Sequence, residues 1–465
     1  MGQFPNTLTM DGWWLDDQAQ TASRRDERPR RDWQRGSALA VLVLLADWLF
    51  RGETLGVSLA LFAGILFAIA TWDVPGHRKI RPALLVLVGS LPAIDYVQLL
   101  SVVFLLASLA AALVWARVRD EDPWLATGLA WLARLPKGWT TPLTPSHWRG
   151  FTPSAPQPAT LRPLLRDWGF PLGGLMVFGG LILRANPLIL QALDWEVDLM
   201  DLIERLLFWA GVALILWPLL DRTLPAPAAL PSLPEVGPRL GVNRRSILRA
   251  LWTFNAVIAV QTVTDMLIVL GGADLPRGMN LAEYAHRGAY PLLVTALLAA
   301  GVALAARPFL QEHRSISPLL LVWLGQNLVL CAGAMLRLEL YVQSYGLTYM
   351  RVYAFLWMLL VFGLLALAIW QVLLGLSNSW LIWRGFGAGL VLLYSASFVN
   401  FAGVIASYNL SHPDVARDPA YICALGPMAA PAVSRFGTGS MPCDTIYPTV
   451  EGWRDWGFRK SRLAG

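Results

Sequence analysis

The stretch PALLVLVGSLPAIDYVQLLSVVFLLASLAAALVWAR, residues 82–117, is one unbroken apolar run and indicates the class of the fold. An α-helix rises 1.5 Å per residue, so a single helix of this length would measure about 54 Å. The hydrocarbon core of a bilayer is about 30 Å thick, and about 20 apolar residues cross it. The run is therefore predicted to form two membrane-spanning helices, with a turn near Pro92, Asp95 and Gln98.

The composition of the whole chain is that of a membrane protein. Of its 465 residues, 56% are hydrophobic and 15% are charged, and the mean hydropathy is +0.50. Soluble chains are about 45–50% apolar and about 25% charged, which excludes a disordered chain, a collagen-like fibre and a typical cytosolic enzyme. The sequence predicts an all-α, polytopic integral membrane bundle of about eleven transmembrane helices. The predicted spans are 36–51, 55–72, 82–96, 98–117, 170–186, 204–220, 247–270, 288–306, 316–335, 351–374 and 382–404.

The basic residues predict how this bundle is oriented. Cytoplasmic loops of membrane proteins are enriched in Lys and Arg. With the N-terminus inside and the spans alternating, the inside segments hold 24 Lys and Arg residues and the outside loops hold 6. We therefore expect the N-terminus inside and, after an odd number of spans, the C-terminus outside. No apolar core with a small-residue cleavage site precedes the first span, so a removed signal peptide is not expected.

The chain is predicted to have five segments. They are a basic cytoplasmic tail, a bundle of about six spans with interfacial helices, a Pro-rich cytoplasmic linker, a bundle of about five spans, and an extracytoplasmic tail. In this order they cover residues 1–35, 36–220, 221–245, 246–405 and 406–465. Within the first bundle, Trp and Leu residues at helical spacing predict an interfacial helix over 122–135, and acidic residues predict another over 188–204.

Two cysteines lie in the predicted extracytoplasmic tail, Cys423 and Cys443. Disulfides persist in oxidising compartments. A Cys423–Cys443 bridge is therefore one interpretation, and two unrelated thiols are the other.

Motifs of soluble enzymes and binding proteins are missing from the sequence. It has no GxxxxGK[ST], HExxH or GxSxG pattern, and no two of its five histidines share a helical turn. Because zinc sites draw on clustered His and Cys, neither a metal nor a cofactor is expected. The basic residues punctuate apolar runs, so no nucleic acid is expected as a partner. The glycines at 385–389 open an apolar span, which favours close helix packing over a nucleotide loop.

Polar residues within the spans form a candidate intramembrane stripe. A charge at the bilayer centre costs about 2.5–3.5 kcal/mol on insertion scales. Gln261 and Asp265 are i, i+4 on one predicted helix, and Gln326 and Asn327 on another are candidate hydrogen-bond partners for them. The stripe either packs against polar partners in the bundle or lines an aqueous path.

A second group of polar residues lies at the predicted outer face. Arginines outside run against the positive-inside bias, which suggests a specific need for them there. The alternative is an interfacial belt of Tyr and Arg with local ion pairs. The members of this outer-face cluster are Glu283, Tyr284, Arg287, Arg337, Glu339, Tyr341, Tyr345, Thr348, Arg351 and Asn409.

Three stretches of sequence carry a resemblance to a known family. They are Glu283-Tyr284-Ala285-His286-Arg287-Gly288, the stretch Tyr341 to Arg351 containing Tyr345-Gly346-Leu347-Thr348, and Asn409 followed by Ala420-Tyr421-Ile422. Over residues 245–435 the chain resembles bacterial multipass membrane proteins of the domain-of-unknown-function 4153/4173 group. The resemblance implies an integral protein of the bacterial inner membrane and supplies no catalytic residues.

Three hypotheses for the function remain open. The first is a non-enzymatic protein that senses, scaffolds or regulates at the outer face, with the bilayer and a membrane protein as its partners. The second is a transporter or permease with a polar path through the C-terminal bundle. The third is an enzyme acting on lipid-linked substrates, in which an arginine grips a phosphate. The third ranks last because no paired carboxylates are found, and the oligomeric state is left open.

Overall fold

In the computed structural model of the protein, the regular secondary structure of the described residues is helical. The described residues are 33–118, 123–140, 199–221, 224–225, 243–269, 298–299, 301–302, 306, 309, 315–413, 415, 418–437 and 446–464. No strand occurs among them, which confirms the all-α prediction.

Numbered within the described residues, the helices follow in this order. They are α1 (33–50), α2 (Val57–Ala70), α3 (Gly76–Asp95), α4 (Leu99–Arg117), α5 (Trp124–Thr140), α6 (Leu199–Leu219), α7 (Arg244–Val269), α8 (Ile316–Tyr345), α9 (Tyr349–Leu374), α10 (Asn378–Ser397), α11 (Phe401–Ser411), α12 (Pro419–Ala424), α13 (Ala430–Phe436) and α14 (Phe458–Leu463). A 3-10 turn, Pro427–Ala429, separates α12 from α13.

Five helices of the described part are long and apolar enough to cross a bilayer. They are α4, α6, α7, α8 and α9, and the bent pair α10 and α11 makes a sixth span if it is counted as one. The predicted span 170–186 and most of 288–306 lie outside the described residues. The described residues therefore hold five or six candidate membrane spans, whereas the number eleven and the orientation stay predictions.

The apolar run 82–117 is two helices, as predicted. α3 ends at Asp95 and α4 begins at Leu99, which places the break at residues 96–98. The Gln98 N–H donates to Ser101 Oγ at 2.8 Å, and the Ser101 hydroxyl is 2.8 Å from the Tyr96 carbonyl oxygen. These bonds satisfy backbone groups that the ends of two helices leave without an intrahelical partner.

The predicted span over 382–404 is broken near its C-terminal end. α10 ends at Ser397, α11 begins at Phe401, and the two helices are bent by 69°. Asn400 starts the new helix, since its Oδ1 accepts from the Gly403 N–H at 3.1 Å. Its Nδ2 donates to the Met428 carbonyl oxygen at 2.9 Å. Asn is a favoured N-cap residue, but hydropathy alone does not register it.

The segment 122–135, for which an interfacial helix was predicted, lies largely within α5. Trp131 is buried, whereas Trp124 is exposed, so only one of the two indoles is free to face the headgroup level. Of the predicted acidic helix over 188–204, the structure describes residues from 199 onward, where they form the start of α6.

The chain divides into two compact units. The first contains residues 1–88 and 107–229, and the second contains residues 89–106 and 230–465. In the first unit, Arg205 Nη2 lies 2.5 Å from Asp47 Oδ2, and Arg51 pairs with Asp201. The five segments expected from the sequence stay a prediction.

In the second unit, α8 packs against α7 and α9, and α9 packs against α10. The centre of this bundle is made of leucines that are at most 1% exposed, among them Leu320, Leu324 and Leu365. A Cβ on Gly385 would lie 2.6 Å from Leu364 Cδ2, so α9 and α10 approach closely at this glycine. The helix-packing interpretation of the glycine run is confirmed at Gly385. A second buried cluster surrounds α11.

Candidate functional site

The candidate site is built around the junction between α8 and α9, residues 346–348. The residue that caps the end of α8 is Gly346, and its φ is +78°. Glycine adopts this backbone conformation at little steric cost. Thr348 then caps α9, because its side chain accepts from the Arg351 N–H at 3.4 Å. The chain thus leaves one apolar helix and enters the next within three residues.

Asn409 of α11 holds this junction from the side. Its Nδ2 donates to the Leu347 carbonyl oxygen at 2.8 Å, and its Oδ1 accepts from the Leu347 N–H at 2.6 Å. A Cβ on Gly346 would lie 2.8 Å from the same Oδ1, so a larger residue there would displace the amide. Asn409 is 6% exposed. Its side chain therefore replaces the hydrogen bonds that the helix break removes from Leu347.

Arg351 caps the other side of the break. Its Nη1 donates to the Tyr345 carbonyl oxygen at 2.7 Å and to that of Gly346. Its guanidinium carbon lies 4.3 Å from the centre of the Tyr341 ring, which is 5.0 Å from the Tyr345 ring. A cation at the C-terminal end of a helix satisfies open carbonyls and complements the helix dipole. This arginine is thus directed at the backbone of α8.

Two of the three stretches that carry the sequence resemblance, those around Tyr345 and Tyr421, meet at this junction together with Asn409. The Tyr421 hydroxyl accepts from the Tyr349 N–H at 2.9 Å, so the Ala420-Tyr421-Ile422 stretch also contacts the start of α9. Tyr341, Tyr345, Thr348, Arg351 and Asn409 of the predicted cluster are therefore brought together. Glu283, Tyr284 and Arg287 lie outside the described residues. Arg337 is 5% exposed, two turns before the end of α8.

A groove of about 430 Å³ opens beside the junction. The predicted residue Glu339 contributes a carboxylate, which is exposed and lies 3.4 Å from Gln343 Nε2. Tyr408 is the other residue of the lining that carries a polar side-chain group. The residues that line the groove are Met335, Glu339, Val342, Leu347, Val352, Phe355, Leu356, Leu359 and Tyr408.

Tyr408 is a site residue that the sequence analysis missed. Its ring stacks on His412 with 4.3 Å between the ring centres. Tyr408 and His412 are i, i+4, a spacing that places two side chains side by side on a helix. The predicted span 382–404 ended before them.

The predicted intramembrane stripe is described only in part, at Gln261, Gln326 and Asn327. Gln326 Nε2 lies 3.3 Å from Asn255 Oδ1, and Asn327 Nδ2 donates to the Trp323 carbonyl oxygen of its own helix at 2.8 Å. Gln261 is exposed on α7. The side chain of Asp265 lies outside the described part of the structure. A helix turns 100° per residue, so Asn255 and Gln261 point in different directions.

A buried ion pair, also missed in the sequence, lies between two further helix breaks of this unit, at residues 96–98 and 398–400. Arg459 of α14 pairs with Asp95, the last residue of α3. The same guanidinium donates to the carbonyl oxygens of Ser397 at 2.9 Å and Val399 at 3.1 Å, where α10 ends. Gln98 Nε2 also donates to the Ser397 oxygen, at 2.9 Å. Arg459 is 8% exposed.

The described residues contain no group of three or more His, Cys, Asp and Glu side chains that would hold a metal ion. Cys331 is a buried free thiol in α8. Cys423 is disulfide-bonded. Cys443 lies outside the described residues, so the Cys423–Cys443 pairing stays a prediction.

A family model described as a domain of unknown function (DUF4153) matches residues 83–436. The chain belongs to this family. The matched residues of this DUF4153 protein include the α8–α9 junction, Asn409 and the groove, whereas α14 with Arg459 follows them. No curated protein and no solved structure is significantly similar to the chain.

We expect Asn409→Ala to destabilise the DUF4153 protein, because the N–H and carbonyl of Leu347 lose their partner. Each buried polar group left unpaired costs about 1–3 kcal/mol. Asn409→Asp keeps the acceptor and loses the donor, so its stability is expected to fall between that of the wild-type protein and that of Asn409→Ala. The measurement is the melting temperature in detergent, with the exposed Gln343→Ala as control. An Asn409→Ala protein that melts with the control contradicts the proposed clasp.

We expect Arg459→Met to destabilise the protein strongly, since it leaves the Asp95 carboxylate buried without its partner. Breaking one side of a buried pair costs about 3–5 kcal/mol. The double variant Arg459→Met/Asp95→Leu is expected to lose less than the sum of the two single variants. Arg462→Met, three residues along the same helix and exposed, is the matched control. Strictly additive losses in unfolding experiments argue against the pair.

Proposed function

We propose that this DUF4153 protein is a non-enzymatic protein of the bacterial inner membrane that senses, scaffolds or regulates by binding a membrane partner. The partner would bind in the groove beside the α8–α9 junction. The observation that carries the proposal is the composition of this groove, which is apolar except for Glu339 and Tyr408. Such a lining suits an apolar segment that places one cation near the carboxylate.

The polar residues around the groove support recognition rather than catalysis. Arg351, Thr348 and Asn409 all bond to backbone groups of the junction. A lipid-directed enzyme would need an arginine aimed at a phosphate and an acid and base placed for proton transfer. Glu339 is the single acidic residue of the groove lining. The residues near the groove therefore hold its shape and leave one charge for recognition.

A transporter or permease is the second candidate, and the helix breaks favour it. Discontinuous membrane helices form substrate and ion sites in many transporters. In this protein the breaks at residues 96–98 and 398–400 meet at Arg459. The polar stripe gives this candidate less support, because Gln326 bonds to Asn255 and Asn327 bonds to its own helix.

The proposed orientation has the N-terminus in the cytoplasm and the groove outside. The predicted inside segments hold 24 basic residues and the predicted outside loops hold 6, and this bias supports the orientation. The disulfide of Cys423 also supports it, since a disulfide near α12 is stable in an oxidising compartment.

A reporter experiment tests this orientation. Alkaline phosphatase folds and is active only outside the cytoplasm, so its fusion after Gly465 is expected to be active in cells. The matched fusion after Pro231, in the predicted cytoplasmic linker, is expected to be inactive. A cytosolic reporter after Gly465 places the groove on the other side of the membrane and refutes the outer-face proposal.

Photo-cross-linking tests the groove itself in native membranes. A photoreactive amino acid at Phe355, inside the groove, is expected to give a discrete protein adduct. The same amino acid at Met350, which is 74% exposed and is not part of the groove lining, is the control. Glu339→Lys is expected to abolish the adduct and Glu339→Asp to keep it. Equal adducts from both positions, or an adduct that survives Glu339→Lys, refute charge-dependent docking.

A further inference from the structure

A second groove, of about 830 Å³, lies between α9 and α10 and shares only Leu359 with the lining of the junction groove. Its volume is within the range of small-molecule sites, roughly 300–1,000 Å³. Its walls are almost entirely apolar, and Arg384 and Ser395 mark its two ends along α10. The residues that line it are Leu359, Leu360, Gly363, Trp383, Arg384, Gly387, Ala388, Val391, Leu392 and Ser395.

The length of this groove matches one leaflet of a bilayer. Arg384 and Ser395 are eleven residues apart on one helix, which corresponds to about 17 Å. Half of the hydrocarbon core is about 15 Å. If α10 and α11 form one broken span, a groove of this length would reach from the headgroup level to near the bilayer centre.

The apolar walls of the groove suit flexible hydrocarbon chains as its occupant. Such chains need no polar partner along the walls, and the one charged residue of the lining, Arg384, lies at one end.

Small residues keep the groove open. A Cβ on Gly363 or Gly387 would meet no atom within 4 Å, unlike one on Gly385, which would meet Leu364. The close contact between α9 and α10 therefore requires a glycine at residue 385. The same contact does not require a glycine at residue 363 or 387. Glycine inside a helix costs about 1 kcal/mol relative to alanine, so these two glycines have a cost that the contact between the helices does not explain.

The charge at one end of the groove selects the headgroup. Arg384 is exposed, and no carboxylate among the described residues pairs with it. Its guanidinium carbon lies 6.0 Å from the centre of the Trp380 ring, and Trp383 is also at this end. Tryptophan favours the headgroup level of a membrane, and arginine binds phosphate. We propose that this groove is a binding site for one anionic phospholipid, with its phosphate at Arg384 and its acyl chains along Gly363 and Gly387.

Native mass spectrometry of the purified full chain in detergent tests the site. The probes are dioleoyl phosphatidylglycerol and dioleoyl phosphatidylcholine, which carry the same acyl chains and differ in net charge. We expect one tightly bound phosphatidylglycerol and an about fivefold preference for it, the equivalent of about 1 kcal/mol for one arginine near anionic lipid.

Two variants separate the headgroup from the acyl chains. Arg384→Gln is expected to remove the preference and to keep binding of both lipids. Gly387→Leu fills the groove and is expected to reduce binding of both lipids at least fivefold. Gly333→Leu is the matched control, since a Cβ there also meets no atom within 4 Å on a spanning helix.

Three results would overturn the proposal. They are a wild-type protein without a headgroup preference, an Arg384→Gln protein that keeps it, and a Gly387→Leu protein that binds lipid as Gly333→Leu does. Because residue 384 is exposed, Arg384→Gln decides the test even if Gly387→Leu lowers the yield. The junction groove plays no part in these measurements, so their outcome is independent of the proposed function.

Discussion

Backbone groups released by a helix break need new partners when no water is near, and this requirement organises the second unit of the protein. An unsatisfied N–H or C=O in hydrocarbon costs several kcal/mol. Its breaks in the described residues include those at 96–98, 346–348 and 398–400. Ser101 bonds to backbone groups of the first, Asn409 to the second, and Arg459 to carbonyl oxygens of the third. Several buried polar residues of this unit therefore lie where helices are interrupted.

Asn409 and Arg459 make contacts at the two ends of the short helix α11. Asn409 lies near the end of α11 and bonds to the α8–α9 junction. Arg459 bonds to the carbonyls just before α11 begins. α11 is 11 residues long, or about 16 Å. The groove beside Tyr408 is thus fixed by contacts at both ends of one helix, which gives a recognition surface a defined shape.

Much of the helical content could be predicted from the sequence, because the membrane imposes a simple rule of length and hydropathy. The break near Asp95 followed from that rule, since residues 82–117 are too long for one crossing. The break at Asn400 did not follow from it, because the apolar run continues through it without change in hydropathy. Its signal was the capping preference of one asparagine. Local capping and average hydropathy are separate sources of information.

The candidate site could be predicted only in part, for a related reason. The cluster around Tyr341 and Arg351 lies within one stretch of sequence, so its members were found together. Arg459 lies 364 residues from Asp95, and nothing local to either residue indicates the pairing. Gln326 bonds to Asn255 of α7, and the sequence alone did not indicate which polar residue of that helix would face it. Contacts between helices depend on rotation, which hydropathy does not determine.

The separation of Asp95 and Arg459 has a consequence for biosynthesis. Arg459 is translated 364 residues after Asp95. The helix α3 is therefore made long before the arginine that pairs with its last residue. Until then the nascent bundle carries an acid without its counter-ion at the end of α3, and the carbonyls after α10 await the same side chain. The second unit therefore reaches its final packing only after translation of α14. A chain that is released before α14 is translated leaves Asp95 and these carbonyl oxygens without Arg459, in a less stable form that membrane proteases can degrade.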